Sequence, residues 1–183
     1  MIEEDIPSRR LNLLRSIRGL SVVRLTRYCW APKEALAFEN DLRPELVFSH
    51  AAGPLLMTLE SGIVIGAASQ SSLISVTLWI DDGSTASDKE LHAVEADDAR
   101  FSEPGFAQML GRRVAAIAIL TREPKNAKWE DRPREVGVLI TLESAPELIL
   151  SHGLHDDSDD FSVLMRKDVK PSLWPRLHEV RVA

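Results

Sequence analysis

Sulfur chemistry is nearly missing from this chain: Cys29 is its only cysteine, which excludes an internal disulfide and a multi-cysteine zinc site. No run of about 18 apolar residues occurs, so no membrane-spanning helix is predicted. The stretch "MIEEDIPSRR" has acids and a proline where a secretory signal has a basic and then an apolar segment, so the sequence reads as cytoplasmic. Motifs that name a reaction are missing as well. "GIVIGAAS" (62–69) has two glycines but no Gly-Lys-Ser/Thr after them, and "ASQSSLIS" (68–75) lacks the Gly-x-Ser-x-Gly elbow. Cys29, between Tyr28 and Trp30 at the end of an apolar segment, reads as a buried, inert thiol. His50, His92 and His178 stand alone in the sequence. No enzymatic activity and no cofactor are expected.

What is present first is enough apolar material for a core: 44% of 183 residues are hydrophobic, which suits one domain. The chain also resembles itself. "GPLLMTLESGIVI" from Gly53 and "GVLITLESAPELIL" from Gly137 share Thr-Leu-Glu-Ser, at Thr58–Ser61 and Thr141–Ser144. "VVRLTR" precedes the first copy and "AIAILTR" the second; "SLISVTLW" and "DDFSVLM" follow them. Four features in one order argue for an internal duplication.

The periodicities repeat too. Ser8 is placed to cap a short helix carrying Leu11, Leu14 and Ile17 and stopped by Gly19, and Ser102 to Gly111 gives a shorter version. Strands follow around Val22–Leu25 and Val114–Leu120, then a hairpin on the shared string with turns near Gly62 and Pro146, then a last strand. The expected fold is α+β and mostly β, with two pseudo-symmetric helix-plus-antiparallel-sheet repeats sharing one core. One domain (1–183) would hold repeats 8–80 and 102–166, joined by an acidic linker, 81–101. Trp30 and Trp129 take similar places and are expected to anchor the core of each half, whereas Trp174, between prolines in "PSLWPRL", reads as an exposed anchor.

Charge is unevenly distributed. The net charge is −6, and Asp81 to Glu103 hold eight acids against Lys89 and Arg100. Six arginines and no acid lie between Ile6 and Lys33, which predicts one basic surface region. The basic run lacks interleaved aromatics, so neither a nucleic acid nor a membrane is expected as a partner.

The most concentrated feature is "SHGLHDDSDDF" (151–161). His152 and His155 with four aspartates offer metal-binding atoms, yet the spacing fits neither an EF-hand nor a helical His pair broken by Gly153, and no metal is expected. Fourteen residues separate Ser61 from Ser75 but 18 separate Ser144 from Ser162, so the acidic stretch reads as a four-residue insertion in a projecting loop. Asp156, Asp157, Asp159, Asp160 and His155, helped by Asp97 and Asp98 of the linker and by Trp174, are the expected partner-binding residues. The partner would be a basic protein.

In size, acidity and its projecting acidic loop the chain resembles the immunity proteins of bacterial toxin systems, including those of contact-dependent growth inhibition. The resemblance is one of profile, spans the whole chain and carries no motif. It implies tight binding and neutralisation of a cognate basic toxin, such as a nuclease domain, with carboxylates standing in for phosphate. A regulatory or scaffold domain is the alternative reading.

Overall fold

The β-branched and leucine-rich segments form two antiparallel sheets of five strands each in a computed structural model that describes residues 5–124 and 126–183. The first contains β1 (Val22–Cys29), β2 (Leu55–Leu59), β3 (Val64–Gln70), β4 (Ser75–Ile80) and β5 (His92–Glu95), in the order β4-β3-β2-β1-β5. The second contains β6 (Val114–Arg122), β7 (Gly137–Leu142), β8 (Leu148–His152), β9 (Phe161–Met165) and β10 (Leu177–Arg181), in the order β10-β6-β7-β8-β9. Short helices complete the fold: α1 (Leu11–Ser16), α2 (Lys33–Glu39), α3 (Val47–His50), α4 (Ser84–Ser87) and α5 (Pro104–Ala107). None is long and apolar enough to cross a membrane. The fold class is the one expected, α+β and mostly β.

The sheets are built alike down to their irregularities. Arg24 pairs with Thr58 and Ala116 with Thr141, so the two Thr-Leu-Glu-Ser strings occupy matching strands. The register slips between Val22 and Arg24 in one sheet and between Val114 and Ala116 in the other, a bulge at the same place in each. At the midpoint Ser21 bridges Arg113, and the backbone bonds around them are exchanged in pairs. Gly19 donates to Val114 O (2.8 Å) and Gly111 to Val22 O (2.7 Å); Val22 donates to Arg112 O and Val114 to Leu20 O, both at 2.9 Å. Gly19 and Gly111 have φ of 80° and 76°, the left-handed turn that ends each N-terminal helical segment. One apolar cluster runs between the sheets, with Leu25, Met57 and Leu78 from one half and Ile117, Ile140 and Val163 from the other.

Several expectations need correction. The middle of the acidic linker is not linker: His92–Glu95 is the fifth strand of the first sheet, and Leu177–Arg181 its counterpart beyond residue 166. The Leu-Thr-Arg strings are not equivalent, because the register sets Leu25 against Ile117, three residues before Leu120. Ser8 caps nothing with its side chain; α1 starts at Leu11 after a turn opened by Pro7, and the Ser8 N–H donates to Glu135 Oε2 at 2.7 Å. Trp30 is 60% exposed and anchors no core, while the Trp129 side chain lies outside the described residues. Trp174 is half-buried, because the outer face of the second sheet is itself covered by Val169, Leu173 and Trp174, with the Arg166 guanidinium 4.6 Å from the indole. That second cover explains why β8 and β9 are buried throughout and show no alternation. The arginine run contributes only in part to the surface charge: Arg9, Arg15 and Arg18 are exposed, but Arg10 pairs with Asp5, Arg24 with Glu95, and Arg27 is fully buried.

The paired glycines provide a test of the shared architecture. A Cβ at either Gly19 or Gly111 meets nothing within 4 Å, so alanine there carries only the left-handed backbone penalty. Gly19→Ala and Gly111→Ala are each expected to lower unfolding free energy by about 1–2 kcal/mol, and equally, in urea titration. A large inequality would show that the two turns are not under the same constraint.

Candidate functional site

Since the two halves follow one plan, the places where they differ stand out. Between β1 and β2 lie residues 30–54, which carry α2 and α3; between β6 and β7 lie only residues 123–136. In the other hairpin, the register matches Ser69 with His152 and Val76 with Phe161, so residues 70–75 correspond to 153–160. The acidic stretch is therefore longer by two residues, not the four expected from aligning Ser75-Val76 with Ser162-Val163; Ser162 stands where Thr77 does. These two departures meet. Residues of the α2–α3 excursion and of the acidic loop line a cleft of about 540 Å³.

The loop is tightly built. Gly153 (φ 68°) donates to Asp160 O at 2.9 Å, Asp157 (φ 76°) donates back to Gly153 O at 2.8 Å, and Leu154 is buried beneath. The Asp156 carboxylate accepts the Ser158 N–H at 2.9 Å. Two arginines hold the loop from below. Arg27, fully buried on β1, donates through Nη2 to Phe161 O (2.8 Å) and stacks on the Phe161 ring at 4.5 Å. Its Nε and Nη1 have no hydrogen-bond partner, and burial pulls the guanidinium down to about 9. Arg122, 8% exposed at the end of β6, forms a 2.6 Å ion pair with Asp157.

One wall of the cleft is apolar, from Leu36, Leu42, Leu46 and Val47. The other carries His155, Asp156 and Asp160, with His50 at the junction. The His50 and His155 rings lie 4.7 Å apart, tilted by 41°. His155 Nε2 is 3.1 Å from Asp156 Oδ2 and Nδ1 is 3.2 Å from Ser162 Oγ. In the neutral ring, Nε2–H donates to the carboxylate and Nδ1 accepts the hydroxyl. This Ser-His-Asp order is no hydrolytic triad, because Ser162 is fully buried and its hydroxyl cannot meet a substrate. Burial, His155 and the Arg27 charge push His50 down to about 4, against the raising pull of Asp156 and Asp168. Burial also holds His155 below its ordinary value, opposed by Asp156 and Asp160. At neutral pH the cleft presents two neutral imidazoles and two carboxylates. Among the described residues no group of His, Cys, Asp or Glu is arranged to hold a metal ion.

The expected partner-binding residues are thus distributed unevenly. Asp156, Asp160 and His155 line the cleft, whereas Asp159, its side chain 79% exposed and 3.8 Å from His152 Nε2, lines a separate hollow with Ile74, Arg122 and Arg134. Asp157 serves Arg122 instead. Asp98 is also structural: Lys33 reaches it at 2.5 Å, and the Arg100 and Phe101 N–H groups donate to it at 3.0 Å, which ties α2 to the turn after β5. Asp97 lines a separate hollow with Arg24 and Glu95, and Trp174 lies on the outer face of the second sheet. Sequence reading passed over His50, Leu36 and Leu42, whose isolation in the chain disappears only on folding. Phe38 on α2, 88% exposed, was passed over as well, although a phenylalanine within a charged helix was a readable signal. Cys29 is buried as expected, and burial pushes its thiol up to about 11. Comparison with family models, with curated proteins and with solved structures finds no match.

Two outcomes follow from the charges. Asp157→Asn leaves the Arg122 guanidinium nearly buried without its counter-ion and should cost about 1–3 kcal/mol in urea unfolding, whereas Asp159→Asn should stay within about 0.5 kcal/mol. The loop is thus not free to be neutralised at all four aspartates: Asp157, expected with the others to bind a partner, is paired with Arg122. For His50, the unfolded chain takes up a proton near its ordinary value of 6.5 while the folded chain resists until about 4. Stability is therefore lost as pH falls through that window, and His50→Gln should flatten the fall in melting temperature between those limits. An unchanged slope in the variant would contradict this.

Proposed function

We propose that the protein is a recognition module for a basic protein partner, which it engages through the cleft between the α2–α3 excursion and the acidic loop. The carrying observation is that the two departures from an otherwise repeated scaffold converge on one surface, and that this surface joins carboxylates to apolar walls. Functional surfaces tend to be loops mounted on a rigid frame. Asp156, Asp159 and Asp160 supply long-range attraction for a cation-rich surface, which accelerates encounter. Phe38 and Trp30, both largely exposed on the same excursion, provide the aromatic area that holds interfaces together once formed. The resemblance to immunity proteins makes the partner a basic toxin, neutralised by covering the site where phosphate would bind.

The experiment is capture from the source cell, and co-expression with products of adjacent genes, followed by association kinetics at low and high salt. A basic partner is expected. The triple variant Asp156→Asn, Asp159→Asn, Asp160→Asn should associate about tenfold more slowly with a flatter salt dependence, and Phe38→Ala should chiefly speed dissociation. A partner bound equally fast by the triple variant would overturn the proposal.

A further inference from the structure

The cleft is more specific than an acidic surface needs to be. We propose that it receives the side chain of one arginine projected by the basic partner, a reading that rests on the recognition function above. The apolar wall of Leu36, Leu42, Leu46 and Val47 suits an aliphatic stem, which long cationic side chains bury while their heads stay with polar groups. The opposite wall presents carboxylates at Asp156 and Asp160, the acceptors that a guanidinium engages with paired N–H groups. Between them the tilted His50 and His155 rings offer flat faces on which a planar guanidinium stacks.

Charge points the same way. A carboxylate in the cleft would be repelled by Asp156 and Asp160, and a wholly apolar group would leave both without a counter-charge. The low proton affinity of His50 and His155 keeps both rings neutral near pH 7, so neither adds a repelling charge. Two cations lie close by. Neither lines the cleft: Arg27 sits against the Phe161 ring, and Lys170 Nζ reaches the Asp156 carbonyl at 3.5 Å. The two rim carboxylates, together with Asp168, stand against them. The volume, about 540 Å³, lies within the range of about 300–1,000 Å³ typical of small-ligand sites.

The probe is N-acetyl-arginine-N-methylamide, compared with its citrulline counterpart, which keeps the shape and loses the charge. Imidazole proton resonances of His50 and His155, assigned with His50→Gln, report occupancy. The arginine compound should shift both saturably, and citrulline should bind at least about tenfold more weakly. Asp156→Asn with Asp160→Asn should bring arginine down to the citrulline level, and Leu42→Trp should weaken binding by narrowing the apolar side of the cleft. Equal binding of the two compounds, or unmoved resonances with arginine, would overturn the proposal. The two readings fail separately. If Leu42→Trp leaves association with the captured partner untouched while the aspartate variant slows it, recognition stands and arginine insertion falls; if arginine binds but no basic partner is captured, the cleft assignment stands and recognition falls.

Discussion

Four backbone hydrogen bonds at the centre of the molecule carry the architecture. Gly19 with Val114, Gly111 with Val22, Val22 with Arg112 and Val114 with Leu20 form reciprocal pairs about the Ser21–Arg113 bridge. Units of this size are too small to bury enough apolar surface alone, so each needs the other's inner face. The exchanged bonds set that facing. They dock β1 against β6 at their starts, and the bulge after Val22 and after Val114 then turns each strand away into its own sheet. Glu60 and Glu143 add a further matched pair by donating to Ser21 O and Arg113 O.

A frame held in this way tolerates extra chain where it does not touch the axis. The α2–α3 excursion belongs to the first half, yet α3 packs on β9 of the second, and its Phe48 meets Phe106 of α5 at 4.8 Å. The acidic loop belongs to the second half, yet it is pinned by Arg27 from the first. Each departure is thus anchored on the opposite half, and the cleft between them exists only in the assembled pair.

Charge burial beneath the loop works in two ways. Arg122 has a carboxylate partner in Asp157, whereas Arg27 has one carbonyl and an aromatic face, and the price is a guanidinium with unpaired nitrogens in the core. Removing either partner of a buried pair is far costlier than never having built it, so the ion pair fixes loop position more than it adds stability. The unequal duties of four adjacent aspartates follow: Asp157 is committed to the frame, and Asp156, Asp159 and Asp160 remain directed outward.

Much of the frame was legible in the amino-acid sequence, because it rests on local rules. Strand segments, the turn at Gly62, the helix stop at Gly19 and the matched Thr-Leu-Glu-Ser strands all express side-chain period and backbone freedom within a few residues. Register was less legible. Identical strings such as Leu-Thr-Arg pulled the alignment by three residues, since hydrogen-bond pairing, not letter identity, decides which residues are equivalent. The burial of Arg27, the exposure of Trp30, the pairing of Asp157 with Arg122 and the meeting of His50 with His155 depend on contacts between residues far apart in the chain. Sequence by itself determined the duplicated α+β scaffold and the acidic loop; tertiary structure alone decided which loop acids face solvent and what cleft they border, because packing of one half on the other brings those distant groups together.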